Sequence, residues 1–269
     1  MSSSTKELLT EVISRNDIVE DLRKLGVKDG MILEVHSSLS SIGYVVGGAQ
    51  SVVDALMEAV GFNGTLVMPI QTYENNEPSF WENPPAERQL WAKIRESTPA
   101  FNPDESEISH MGRIPENLNR RPGTYRTDHP SCAFVTYGRY GKQIAEKQSL
   151  DFALGEQSPL AEMYNLPTYV LLLGVGYDCC TGMHLGEYRS NARKVILQGG
   201  AVNENGYRKW VKYLELSLDS DEFAEIGKIM EEKGMVKEGY VGHSQCKLFR
   251  LSDAVDLTAS YLADKYPME

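Results

Sequence analysis

The segment Tyr169 to Ser190, YVLLLGVGYDCCTGMHLGEYRS, puts an imidazole and a carboxylate three residues apart where an apolar run gives way to a helix start. His184 and Glu187 at i and i+3 fall on one face of a first helical turn, so the carboxylate can hold the ring. Backbone N–H groups at a helix N-terminus disfavour an imidazolium and a nearby carboxylate favours it, a balance that suits a general base. The same spacing also serves an ordinary hydrogen bond at a helix start, and spacing alone does not separate the two readings.

Other residue sets offer chemistry with less specificity. HSSLSSIGYVVGGA, His36 to Ala49, follows a strand and precedes a helix, so its serine hydroxyls and glycine amides could receive a phosphate or pantetheine carbonyls. It lacks the GK[ST] of a Walker loop and the GxGxxG of a dinucleotide turn, and glycines that only permit tight packing explain it equally well. Cys179 and Cys180, on a turn before the helix, could supply a nucleophilic thiol with His184 as its base. Asp178, His184 and Glu187 make a poor metal set, because no second His lies at a usual ligand spacing; no metal is expected. Glu74, Glu77, Glu82 and Glu87 accompany Tyr73, Trp81 and Trp91, and carboxylates beside aromatic walls suit a polyamine. A run of exposed acids is also ordinary solvated surface.

The elements that must position these residues read as α/β. Arg15 to Leu25 has helical periodicity with Gly26 as a stop, and Met31 to Val35 is a strand. A helix with Val52, Val53, Leu56, Met57 and Val60 on one face follows Gly47 and Gly48, and Thr65 to Pro69 is the next strand, completing a βαβ unit. Residues 70–113 hold Trp81, Trp91 and several prolines with little periodicity outside Glu87 to Ser97, and read as an insertion over the site. Further strands are expected at Ser131 to Tyr137 and Tyr169 to Val175, with helices near Tyr140 to Lys147 and Pro159 to Tyr164. The NENG turn beyond Arg193 sits between two β-prone runs and predicts a hairpin. An amphipathic helix over Asp221 to Glu232, an extended stretch over Tyr240 to Leu251 and a closing helix from Ser252 complete the chain. The fold class is α/β: a mixed central sheet flanked by helices, with the insertion and a C-terminal β-rich part, in one domain.

GVGYDCCTGMHLGEYR resembles the signature of the antibiotic N-acetyltransferase family, the aminoglycoside 3-N-acetyltransferases that use acetyl-coenzyme A. Three further segments carry the resemblance: Leu33 to Pro69, HMGRIPE from His110 to Glu116, and DHPSCAFVTYG with DFALGEQSPLAEMY between Asp128 and Tyr164. Together they cover most of the chain in order and spacing. The resemblance implies His184 as the base and Glu187 as its orienting partner. It implies acetyl-coenzyme A as co-substrate, held by Ser37, Ser38, Gly43, Val45, Gly47, Gly48, Met111 and Gly112. An aminoglycoside would lie near Tyr73, Glu74 and Asp178, and its 3-amino group on the 2-deoxystreptamine ring would be acetylated, giving antibiotic resistance. His36 is a second candidate near the thioester, although a His at a strand end is more often a hydrogen-bonded structural residue. The chain departs from the family at Gly186, where Ala is common, and at Cys180, Thr181 and Gly182, where Asn-Thr-Ser or similar stands; both departures are expected beside the pocket. Alternatives are the same chemistry on a different amine, or a coenzyme A-binding protein with little turnover.

The 269 residues suffice for a large core, and the formal charge of −11 argues against nucleic acid as a partner and for cationic or neutral ones. No apolar stretch has the length of a membrane span, and MSSSTKELLTEV lacks the apolar core of a signal peptide, so no membrane partner and a cytoplasmic location are expected. The first few residues are expected to be disordered. Cys132, Cys179, Cys180 and Cys246 lack CxxC spacing and read as reduced thiols. A homodimer is left open.

Overall fold

A computed structural model describes residues 8–267. Its frame is a mixed seven-stranded sheet in which β1 (Ile32–Ser37) pairs in parallel with β2 (Thr65–Pro69) on one side and with β5 (Thr168–Leu173) on the other. Antiparallel strands extend it both ways: β4 (Phe134–Gly138) and β3 (Thr124–Arg126) beyond β2, β9 (Ser244–Arg250) and β8 (Lys237–Val241) beyond β5. The three parallel strands are buried almost throughout because helices cover both their faces.

Alternate residues of each strand feed separate cores. Leu33, Val35, Leu66, Met68, Leu171 and Leu173 face α1 (Arg15–Leu25), α2 (Ala49–Val60) and α4 (Arg113–Asn119). Ile32, Val67, Val170 and Leu172 face the other way. There they meet α6 (Pro159–Tyr164), α7 (His184–Ser190), α8 (Phe223–Glu232) and α9 (Leu251–Lys265). One charged side chain, Glu34, lies in that second apolar layer. The carboxyl ends of β1, β2 and β5 open on the same side, which is where ligands of α/β sheets bind.

The expected βαβ unit is present, and α1 is closed by a Ser14–Asp17 capping box and by Gly26 in the left-handed region. The NENG hairpin is also present as β6 (Val195–Glu204) and β7 (Tyr207–Leu216), with Asn205 and Gly206 both at positive φ as a type I′ turn requires. This hairpin forms a two-stranded sheet of its own, and the insertion is bonded to it. The Asn75 side chain donates to Ala201 O at 3.0 Å and accepts from Ala201 N at 2.7 Å, while Phe101 N donates to the same carbonyl. Helix α3 (Trp91–Ser97) falls within the expected periodic part of the insertion.

Two sequence expectations change, and one short strand has no counterpart among them. Tyr240 to Leu251 is not one extended stretch: β8 and β9 meet at a Gly242–His243 turn, which Gly242 at positive φ permits. The strand expected from Ser131 begins only at Phe134, because the His129 ring takes the N–H groups of Ser131 and Cys132 that a ladder would use. Short β3, half exposed, gives too little pattern to read. The expected disorder of the first few residues concerns positions 1–7, outside the described residues. No helix among the described residues is long and apolar enough to cross a membrane.

Candidate active site

After β5 the chain passes Gly174, where a Cβ would stand 1.9 Å from Ser41 Oγ, and so runs close against the loop that follows β1. Two short 3₁₀ turns, Tyr177–Cys179 and Thr181–Met183, then deliver His184 as the first residue of α7. His184 Nδ1 is hydrogen-bonded to Glu187 Oε2. Glu187 is fully buried, and its other oxygen accepts from Arg193 Nε and from Asp219 N at 3.0 Å. A carboxylate in that position accepts, so Nδ1 carries a proton and Nε2 of a neutral ring keeps its lone pair.

Arg193 anchors the arrangement by reaching Glu222 at 2.8 Å and Asp219 O at 2.9 Å. Burial works against its charge, but the hydrogen bonds to Glu222 and Glu187 raise its pKa above the ordinary value. Burial likewise opposes ionisation of Glu222, yet hydrogen bonds from Tyr266 and Arg193 bring its pKa down to about 2. Phe223 closes one side of the His184 ring, centroids 5.0 Å apart.

His184 stands at the junction of a three-part groove. One end, about 510 Å³, is lined by Ser37, Ser38, Gly43, Val45, Gly48, Met111 and Gly112. The middle, about 380 Å³, includes His36, Asp178, Cys179 and His184, and shares Ser37, His110 and Met111 with the first end. The far end, about 650 Å³, includes Tyr73, Trp81, Glu82, Gln198, Tyr213 and Glu215, and shares Gln71 and His184 with the middle. A larger cavity of about 1050 Å³, bounded by Arg15, Phe62, Tyr125 and Arg139, shares no lining residue with this groove.

The groove thus brings together most of the expected site residues, with Glu187 buried behind His184 and with Gly47 and Glu74 standing apart. Gly47 stands in the turn before α2 with Ser51 Oγ against it and does not line the groove. Glu74 is exposed on the insertion and accepts from Ser109 Oγ, which ties two loop segments together away from the wall. Gly112 caps α4 at φ 82° with open space where a side chain would be, and Arg113 beside it, also on the groove, makes no ion pair among the described residues.

The thiols do not form a nucleophile–base pair with His184. Cys179 Sγ lies 3.9 Å from Asp178 Oδ2, and burial together with that carboxylate raises its pKa. Cys180 is wholly buried, and burial and Glu34 push its pKa up further. Among the described residues no group of three or more His, Cys, Asp and Glu could hold a metal.

Several groove residues escaped the sequence reading, Glu215 above all. It is buried in the far wall, accepts from Tyr188 Oη, from Leu216 N at 2.8 Å and from Ala153 N at 3.0 Å, and burial raises its pKa. A signal was available: with β7 in a half-buried hairpin, Tyr213 and Glu215 share one face, and an acid on an inward face asks for a reason. His129 supports the same wall. Its Nδ1 accepts from Ser131 N and Cys132 N, its Nε2–H donates to Leu150 O at 3.2 Å, and burial lowers its pKa to about 4.

A sequence model described as aminoglycoside 3-N-acetyltransferase matches residues 35–263. The chain belongs to the aminoglycoside 3-N-acetyltransferase family. The aminoglycoside N(3)-acetyltransferase III of a Salmonella species is 33% identical over 264 residues, covering 93% of this chain and 91% of the relative. The prophage-derived aminoglycoside N(3')-acetyltransferase-like protein YokD of Bacillus subtilis is 42% identical over 249 residues, 92% of each chain. Its crystal structure superposes with a TM-score of 0.92 at 41% identity, covering 96% of this chain and 97% of that one. The structure of AAC-VIa bound to sisomicin superposes with a TM-score of 0.85 at 25% identity, over 96% of this chain and all (100%) of that one.

As a member of this family the chain is an acyltransferase, and its two sequence departures acquire physical meaning. Gly186 does not line the groove: a Cβ there would stand 2.6 Å from Thr258 Cβ and 2.7 Å from Val255 O, so the glycine lets α7 pack tightly on α9. Gly182 lies under the turn against Glu34, where a Cβ would stand 2.4 Å from Oε2.

Proposed function

We propose that this protein transfers the acetyl group of acetyl-coenzyme A to the 3-amino group of 2-deoxystreptamine aminoglycosides, an action that weakens their hold on ribosomal RNA and gives resistance. The observation that carries this reading is the place of His184, where two differently furnished arms of one groove meet. The arm with Ser37, Gly48 and Gly112 suits coenzyme A. Ser37 Oγ is buried without a hydrogen-bond partner among the described residues and is available to a ligand polar group, and Gly112 leaves its backbone open to close approach. The other arm combines Tyr73, Trp81 and Tyr213 with Glu82 and Glu215, a wall suited to a polyamine sugar. Glu74, expected near the acceptor from the acids and aromatics of the insertion, does not line this wall.

Acetyl-coenzyme A supplies an acetyl thioester, and the protein's own residues supply position and proton transfer. His184 Nε2 accepts the proton of the attacking amine, and Glu187 balances the imidazolium that results. Arg193 keeps Glu187 in place. Holding amine and thioester side by side contributes up to about 7–11 kcal/mol in favourable cases, and no acyl-enzyme is needed.

Thiol release from acetyl-coenzyme A, measured with a panel of aminoglycosides, tests the reading, with NMR of the product to locate the acetyl group. Release with a deoxystreptamine drug should fall by about 10²–10⁴ in His184→Ala. Release with other amines but with none of the panel would keep the chemistry and reject the substrate.

A further inference from the structure

A second imidazole–carboxylate pair faces the same middle cavity. His36 Nε2 lies 3.2 Å from Glu34 Oε1, and both side chains are buried, to 4% and 0% exposure. Glu34 stands on the central strand between its register partners Val67 and Val170, inside an apolar layer. Its second oxygen has no hydrogen-bond partner among the described residues. A carboxylate buried with an idle oxygen costs stability that an apolar side chain would not. The turn that launches His184 is kept bare at Gly182 to admit that oxygen. Glu34 is therefore accommodated at a cost, and the group it touches is His36, which lines the cavity where the two substrates meet.

Position separates the two imidazoles. His184 borders the acceptor arm, whereas His36 is followed in β1 by Ser37, which borders the coenzyme A arm. With the substrates in the arms proposed above, the amine nitrogen would react beside His184 and the thioester sulfur would lie toward His36, which lines the middle cavity but not the acceptor arm. With Nε2–H donated to Glu34, a protonated His36 has Nδ1–H to offer, and no protein group among the described residues hydrogen-bonds that atom. An imidazolium beside an ionised Glu34 carries no net charge as a pair.

We propose that His36, oriented by Glu34, is the acid that protonates the departing sulfur of coenzyme A. This rests on acetyl-coenzyme A being the donor, as proposed above. As the C–N bond forms, the amine proton goes to His184 Nε2. As the C–S bond breaks, its electron pair stays on sulfur, which takes the Nδ1 proton of His36. His184 then loses its proton to water and His36 regains one, so the cycle closes without another reactant.

The test compares two donors: acetyl-coenzyme A, whose alkanethiol leaves better when protonated, and the acetyl thioester of 4-nitrothiophenol, whose thiolate leaves unaided. In His36→Asn, kcat/KM with acetyl-coenzyme A should fall by about 10²–10⁴ while the aryl donor stays within about tenfold of the parent. Glu34→Gln, nearly isosteric, should show the same asymmetry with a smaller loss, whereas His184→Ala should lose both donors alike. Coenzyme A affinity and melting temperature, measured on each variant, report whether the fold persists. Parallel losses with both donors in folded His36→Asn and Glu34→Gln, or no loss, would overturn the assignment while leaving the acetyltransferase reading intact. A parent protein that transfers from neither donor overturns that reading, and this one with it.

Discussion

His184 and Glu187 are one helical turn apart and bonded through Nδ1, and the carboxylate that orients the ring is itself held by Arg193 on its other oxygen. Glu187→Gln keeps the shape but removes the charge and offers an amide that can present its N–H₂ to His184 or to Arg193. We expect kcat to fall by about 10²–10⁴, as when a triad carboxylate is neutralised, with a smaller change in KM. Arg193 retains Glu222, so stability should fall by only about 1–3 kcal/mol. Steady-state kinetics and denaturant melts on one preparation separate the two effects.

Acid stability should decline in two successive windows. His129 is buried neutral, its pKa lowered from 6.5 to about 4, so the unfolded chain binds the extra proton between those values. Stability is therefore complete above about 6.5 and falls as pH drops toward 4, by about 3 kcal/mol. Glu222, brought down to about 2 from 4.5, contributes above its unfolded value and loses that contribution as pH falls further toward 2. Urea melts across pH should show the upper window vanish in His129→Gln and the lower one shrink in Arg193→Met; an unchanged upper window in His129→Gln would reject the assignment.

Packing explains Gly186, and the consequence is measurable. In Gly186→Ala the new methyl meets Thr258 Cβ and the carbonyl of Val255 on α9, and backbone cannot give way as a flexible side chain can. The expected destabilisation is about 1–3 kcal/mol. Because α7 also carries His184 and Glu187, a shift of that helix should lower kcat as well. A melting temperature equal to the parent's would show that α9 yields freely.

The residues that were readable in the sequence are those whose neighbours in the chain declare them. His184 and Glu187 share a helical turn, and Ser37 to Gly48 run without a break from the last residue of β1 to the start of α2. The βαβ unit and the NENG hairpin follow from periodicity and turn chemistry in the same way. What stayed hidden depends on distant partners. Glu34 reads as one polar residue in a strand until the fold sets Gly182 over it, and Arg193 reads as a charge after a helix until Glu222 closes the network. Composition groups Glu74 with the other acids of the insertion, and only tertiary structure shows which of them line the groove: Glu82 does, while Glu74 accepts from Ser109 Oγ.

Glu215 and Glu82 are the acids in the wall of the acceptor arm, and Glu215 is the buried one. Two donors bond one carboxylate oxygen and Ala153 N the other, so Glu215→Gln keeps the shape and the first two bonds, gives up the bond from Ala153 N, and removes one negative charge from the wall. A hydrogen bond from an ammonium to such a carboxylate is worth about 1.5–3 kcal/mol, so KM for a polycationic aminoglycoside should rise about tenfold or more. KM for acetyl-coenzyme A should not move, since the proposed reading puts that substrate in the other arm. Burial raises the pKa of Glu215, so in the parent the acceptor KM should begin to climb, as pH falls, above the ordinary carboxylate range. The variant should lose that climb. Equal KM values for parent and variant across the acid range would place the recognition of the ammonium groups on Glu82 and the aromatic wall instead.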